Sequence, residues 1–256
     1  MSQTTSLPPS PSASSDRRRR TWWYVGGAAL LVLILLGVGI WYFVFRDDSP
    51  PAVDIERASE TAQEAGGSQG ETSFDGTWRI DSSIGSFDDF TGTFVGYRVQ
   101  EELVGIGAKT AVGRTPDVEG QLRIEGTTIP EASFTANLTT LKSDEGRRDN
   151  ALRGQALETD RFPIATFVLT EPIELEQIPP EGETIEVDAT GDLTLHGVTK
   201  EVTIPLQAER SGDVITVTGQ LDIQFADFDI SQPTSFAVLS IEDHGIVEVQ
   251  LFFTKE

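Results

Sequence analysis

Residues 191–206 read GDLTLHGVTKEVTIPL, and their pattern decides the fold. Leu193 and Leu195 share one face, then Val202, Ile204 and Leu206 share another, while Asp192, Thr194, Thr203 and Gln207 point the opposite way. Successive side chains leave a pleated backbone on opposite sides, so this alternation is the period of a half-buried strand. His196-Gly197 interrupts it, and Gly takes the positive φ that a tight reversal needs. The spacing predicts two strands joined by a short turn, one face apolar and the other wet. Pro205 has no N–H to give to a ladder, which puts the second strand at an edge or places a bulge there.

Outward from this hairpin the same texture holds from Thr77 to the C-terminus, with Gly, Pro and Asp between short runs. Strands are expected near 77–82, 91–99, 106–114, 117–125, 130–140, 164–171, 184–196, 200–209, 213–223 and 235–254, the last split at Asp243-His244-Gly245. Many short strands separated by turn residues predict a sandwich or a barrel. Residues 146–157, GRRDNALRGQAL, depart from the pattern. Leu152, Ala156 and Leu157 fall at helical spacing with no β-branched neighbour, which predicts one short helix interrupted near Gly154.

Toward the N-terminus the chain changes character. Residues 1–16 are Ser, Pro and Thr with too little apolar content for a core, so residues 1–20 read as a disordered cytoplasmic tail ending in Arg17-Arg18-Arg19-Arg20. Residues 21–45 read as a transmembrane helix. From Trp22 to Phe45 run 24 residues without a charge, about 36 Å as a helix. Trp22, Trp23 and Tyr24 stand at one end and Trp41, Tyr42 and Phe43 at the other, as in an aromatic belt. The arginines stay cytoplasmic, so the expected location is the cell membrane, single-pass, with the C-terminal domain extracytoplasmic. A cleaved signal peptide is the competing reading; its apolar region runs about 7–15 residues and ends in small residues. Here the run is longer and ends WYFVF. Residues 46–75, rich in Pro, Glu, Ala, Gly and Ser, read as a flexible acidic linker, transiently helical near 53–65, and residues 76–256 as the outer domain.

Composition narrows the functions. The 256 residues carry a formal net charge of -22 and no cysteine. Such acidity argues against nucleic acid, whose phosphates need Lys and Arg. Without Cys, disulfide staples and thiol catalysis are excluded.

Three stretches carry a family resemblance: WRIDSSIGS at 78–86, RRDNALRGQALETDRFPIATFVL at 147–169, and the hairpin at 191–206. Over residues 76–255, 180 of the 256, the chain resembles the YceI-like family, polyisoprenoid-binding bacterial proteins with a lipocalin-like barrel. Two departures stand out. Ala151 lies where the family often has His, and residues 97–115, YRVQEELVGIGAKTAVGRT, replace a His-rich loop. The resemblance implies an all-β, antiparallel lipocalin-like barrel with one short helix, here preceded by a single transmembrane helix. It also implies an apolar isoprenoid-class lipid as ligand, and a homodimer.

Catalytic chemistry finds little footing. The two histidines, His196 and His244, lie in turns, and no HExxH spacing completes a zinc site. Local backbone satisfies such turn histidines in the plain reading; a Glu242-Asp243-His244 ion site is the sharper one. No GxSxG elbow or phosphate-cradling GxxxxGK[ST] run is present, and Gly105 and Gly107 mark a bend or bulge. Asp88-Asp89, Asp227 with Asp229, and Glu242-Asp243 are carboxylate pairs of a kind that an acidic surface produces by accident. No metal, cofactor or enzymatic activity is expected.

An interior remains. An eight-stranded barrel is just wide enough to be filled by side chains or to hold one small ligand. Val95, Tyr97, Val99, Leu122, Ile124, Phe134, Ala136, Leu138, Phe167, Leu169, Leu193, Leu195, Phe225, Phe228 and Phe236 are the inward candidates. Periodicity does not separate a filled core from a lined cavity; the lipid tunnel is what the resemblance implies. Arg147, Arg148 and Arg153 are placed to meet a phosphate or quinone headgroup, or else to pair with Asp144, Glu145, Asp149 or Glu158. The resulting reading is a membrane-tethered binding protein that sequesters, carries or senses an isoprenoid-type lipid. Its rivals are a protein-interaction or envelope-structure domain with a filled core, and an enzyme acting on isoprenoids or quinones.

Overall fold

The computed structural model describes residues 30–39, 41–42, 49–66, 74–236 and 238–256. The chain divides after Arg46 into two units. In the first, residues 30–39 and 41–42 are helical. The remainder of the expected transmembrane segment, like the tail at 1–20, lies outside the described residues. Among the described residues no helix is long and apolar enough to cross a membrane.

The second unit, Asp47–Glu256, holds the β-structure. Its strands are β1 (Gly76–Ile80), β2 (Phe94–Leu103), β3 (Gly107–Thr115), β4 (Val118–Glu125), β5 (Thr128–Asn137), β6 (Lys142–Ser143), β7 (Ile164–Leu169), β8 (Ile173–Glu174), β9 (Ile185–Leu195), β10 (Val198–Ser211), β11 (Val214–Gln224), β12 (Val238–Ile241) and β13 (His244–Lys255). Every pairing is antiparallel. Because β1 bonds both β4 and β13, the order β1-β4-β5-β7-β9-β10-β11-β13 closes into an eight-stranded barrel. The first half of β13 bonds β2 instead, which carries β3 and β12 alongside.

The hairpin forms as its sequence dictates. Leu195 pairs with Val198, leaving a two-residue turn in which His196 (φ 51°) and Gly197 (φ 77°) are both left-handed, the combination that matches strand twist. Leu193, Leu195 and Ile204 are buried on the inner face, while Thr190–Thr203 and Thr194–Thr199 hydroxyl pairs line the outer one. Pro205 lies at a local edge: β10 runs between β9 and β11 without a bulge against β9, but its pairing with β11 begins only at Leu206, so the N–H that Pro205 lacks has no partner to serve there.

The predicted short helix is α2 (Gly146–Ala151), opened by the Glu145 carboxylate accepting from the Arg147 N–H. It runs into a wider turn, Leu152–Ala156, in which Leu157 N–H reaches back five residues to the Leu152 carbonyl at 2.8 Å; Gly154 sits inside that turn.

Within the expected linker, the helix read as transient near 53–65 is a docked one. Residues 55–65 form a packed helix, α1 (Ile55–Ala65), capped by Asp54, whose carboxylate accepts from the Arg57 N–H at 3.0 Å. Ala58 and Ala62 face Ile84, Val214 and Phe252 in a small core on the outside of the barrel. The alternation reading treats that outer face as wet, so small Ala residues there looked like spacer. Replacing the cap, Asp54→Ala, is expected to cost the docked helix about 1 kcal/mol. Amide exchange should then quicken across 55–62 while the barrel strands keep their protection; equal rates in both proteins would refute the cap's role.

Candidate functional site

The barrel interior holds two apolar hollows. The larger, about 140 Å³, lies under α2 and the segment after β11, between Tyr97, Val99, Leu138, Leu152, Leu193 and Phe225. The smaller, about 100 Å³, lies toward Phe74, Leu175 and Pro179 and is walled by Leu122, Ile124, Phe167, Ile215 and Leu251. Phe134, Ile204 and Val249 line both and form the partition between them. Phe134 is held by Phe167, stacked with ring centroids 5.6 Å apart. Elsewhere, a dry apolar cavity of about 150 Å³ takes up benzene, so each hollow as it stands has room for about one five-carbon unit.

Most of the inward candidates fall on these walls. Val95, Tyr97, Val99, Leu138, Leu193, Leu195 and Phe225 line the larger hollow, Leu122, Ile124 and Phe167 the smaller, and Phe134 both. Ala136 and Phe228 are buried in the surrounding core, and Leu169 packs against it half-buried. Phe236 is a correction: it is 89% exposed, in the connection before β12 and outside the barrel alternation. Ile215, Val217, Val247 and Leu251 were missed, although the period of two in VITVTG and IVEVQL marks them. Phe74, Leu175 and Pro179 come from connections and carry no such signal.

One end of the larger hollow is polar. Tyr97, Glu101 and Arg148 reach its wall from β2 and α2. Of the three headgroup arginines only Arg148 is there; Arg147 is exposed and Arg153 donates to Asn150 at 3.2 Å along its own helix. The Arg148 guanidinium donates through Nη2 to Glu101 and through Nη1 to Asp144. Asp149, buried next to it, accepts from the Ser143 N–H and hydroxyl at 2.9 and 2.6 Å, which fixes the start of the helix. Burial disfavours the charge on Arg148, but its hydrogen bond to Glu101 and the neighbouring carboxylates outweigh that and hold its pKa above the ordinary value. Burial pushes the Tyr97 hydroxyl well above the usual tyrosine range, so it stays protonated. Its oxygen and the Arg148 Nε are buried with no hydrogen-bond partner among the described residues.

The histidines do other work. His196 is buried and its ring bridges the Phe228 carbonyl (3.1 Å) and the Glu158 carboxylate (3.0 Å), and it packs in a T-shaped contact with Phe162, ring centroids 4.6 Å apart. These partners are distant in sequence, not the local backbone expected. His244 sits beside Asp243 and Glu242 on an exposed turn, and its hydrogen bond to Asp243 raises its pKa. Among the described residues no three His, Asp or Glu side chains are grouped to hold a metal.

A closed eight-stranded antiparallel barrel with an oily, subdivided interior belongs to the class of small barrels whose interior is filled by side chains or holds one small ligand. The family model for the YceI-like domain matches residues 68–253, and the chain belongs to that family. Protein YceI of Shigella flexneri is 32% identical over 123 residues, which are 47% of this chain and 58% of that protein's length. A UPF0312 protein of Vibrio parahaemolyticus is 30% identical over 152 residues, 54% of this chain and 75% of that one. Among solved structures, a polyisoprenoid binding domain from Saccharophagus degradans superposes with a TM-score of 0.53 at 18% identity, covering 71% of this chain and 99% of that domain. At that identity the likeness is one of fold.

Proposed function

We propose that this protein binds an apolar, isoprenoid-type lipid inside its barrel, to sequester, carry or sense it, with no bond made or broken. The observation that carries the reading is the pair of oil-walled hollows meeting at a three-residue partition. The structural neighbour described as a polyisoprenoid binding domain lends it support. Each buried methylene contributes about 0.8 kcal/mol, so a dozen supply on the order of 10 kcal/mol, of which ordering the chain takes back several. We further propose that residues 22–45 anchor the chain in the cell membrane with the barrel on the extracytoplasmic side, next to a bilayer that supplies such lipids. The small size of the empty hollows favours one rival, an interaction domain with a nearly filled core.

Native mass spectrometry of the full chain, released from detergent, separates the two. A discrete adduct of isoprenoid mass, restored by adding the lipid back after extraction, is the expected result. A bare chain that takes up no added isoprenoid would overturn the lipid-binding reading.

A further inference from the structure

Six large apolar side chains of the barrel unit are exposed among the described residues, and three of them, Val104, Phe236 and Leu239, belong to one corner. Val104 follows β2 in the turn to β3, where the Ile106 N–H closes onto the Leu103 carbonyl at 3.2 Å. Strand β12 pairs with that end of β2: Val238 stands opposite Leu103, and the register shifts at Leu239 before Ser240 meets Glu102. The two stretches that meet there, LVGIGA at 103–108 and ISQPTSFAVLSI at 230–241, contain no charge, in a chain whose net charge is -22. The second stretch also walls the larger hollow, through Ile230, Pro233 and Ile241. One uncharged segment thus joins the hollow to the exposed corner.

This corner suits a bilayer better than a protein partner. A standard protein interface engages about 20–30 residues a side, and two short turns fall well short of that. Anionic lipid repels an acidic surface, so the uncharged part of such a unit is the part that can approach it. The path of the chain leads the same way. Gly66, just after α1, lies against Ser211, at the turn where β10 meets Val214 of β11. Followed back toward the N-terminus, the chain reaches Arg114 at the Pro51 carbonyl and then Arg98 at the Pro50 carbonyl. Arg114 stands opposite Gly96, so that last step runs along β2 toward Leu103. From Phe45, where the uncharged run ends, to Pro50 the chain spans at most about 17 Å when extended. Along β2, Val104 lies roughly 20 Å beyond Arg98. The two reaches are comparable.

Resting on the anchoring and lipid-binding readings above, we propose that this corner is a membrane-docking surface. Val104, Phe236 and Leu239 enter the interfacial layer of the bilayer that holds residues 22–45. Segment 230–241 then runs from that layer to the larger hollow, and a lipid passes from bilayer to barrel without crossing water.

The chain has no cysteine, so a single Ser240→Cys carries one fluorophore beside the corner. Ile178→Cys is the control, an exposed apolar position next to Pro179, which walls the smaller hollow. Each full-length protein is reconstituted into vesicles of phosphatidylcholine and phosphatidylglycerol, with or without lipids that carry a nitroxide near the head of the acyl chain. An inserted apolar face sits roughly 5–10 Å into this boundary, so quenching at 240 should exceed that at 178 by at least about threefold. Phe236→Ser combined with Leu239→Ser, both at exposed positions, should remove most of that excess. Equal quenching at the two positions, or an excess that survives the double substitution, would overturn the docking. So would label-to-label quenching at 240 in place of nitroxide quenching, which would put a second copy of the chain on the corner. Protein that fails to float with the vesicles refutes the anchoring, and the docking with it. The isoprenoid adduct is read separately by native mass spectrometry, so its absence refutes lipid binding and leaves the docking standing.

Discussion

Replacing Arg114 by Met is expected to lower the stability of the barrel unit by about 3–5 kcal/mol. The partner left behind is the reason. Glu248 faces outward from β13, yet its side chain is 0% exposed. It accepts from Arg114 Nε at 2.9 Å and Nη2 at 2.7 Å, and from Arg98 Nε at 3.3 Å. The same two arginines donate to the Pro51 and Pro50 carbonyls at 2.7 and 2.6 Å, pinning the chain just before α1. The Arg114 guanidinium also lies over the rings of Phe94 and Phe90, 4.2 and 4.6 Å from their centroids. Removing it strands a carboxylate with one weaker partner in a dry place, which costs far more than a surface pair would. Urea unfolding of the full chain should show a lower midpoint, and limited proteolysis should find residues 50–54 newly accessible. Adding Glu248→Leu to the Met variant should recover much of the loss, because an apolar pair of similar volume no longer needs solvating. A single variant as stable as the parent would show that Arg98 alone satisfies Glu248.

That cluster also marks where the sequence stops being readable. The strands and their inner face were legible, since the alternation in 191–206 and its repeats register them residue by residue and the tight turn follows from His196-Gly197, but the choice of a barrel over a sandwich came from the family resemblance. The same logic assigns every second residue to solvent. Glu248, Gln250 and Phe252 obey the alternation and point outward, but the outside at that point is a second interior, roofed by α1 and the segment before β2. Nothing in a period of two reveals a roof. Helix α1 itself offers only Ile55 and two alanines as its buried apolar face, a signal weaker than its glutamates. At the candidate site the apolar wall was legible for the same reason as the fold. Glu101 was not: it continues the inward parity of Tyr97 and Val99, but a carboxylate is expected inside only when paired, and its partner Arg148 is 47 residues away. Phe236 fails for the opposite cause, being apolar in a connection where alternation has no meaning.

The partition between the hollows gives the second large effect. Phe134→Ala would remove the aromatic wall that both chambers share and leave a single elongated hollow. Loss of the ring, including its stacking on Phe167, should cost about 3 kcal/mol, the low end for Phe→Ala because the ring already borders empty space. Ligand binding should move the other way. In the parent, a tail longer than the first hollow enters the second only by displacing Phe134 from Phe167, and that rearrangement is charged against affinity. In the variant the route is open, and each further five-carbon unit gains burial of up to about 4 kcal/mol at 0.8 kcal/mol per methylene. Lengthening an isoprenoid alcohol from five to ten carbons should therefore tighten binding by at least about tenfold more in the variant than in the parent. Ligand-induced increases in Tm, which follow RT ln(1 + [L]/Kd), would report this difference even in a destabilised protein. If tail length matters equally in both proteins, the tail does not cross from the larger hollow to the smaller. The lipid would then occupy only the chamber under α2.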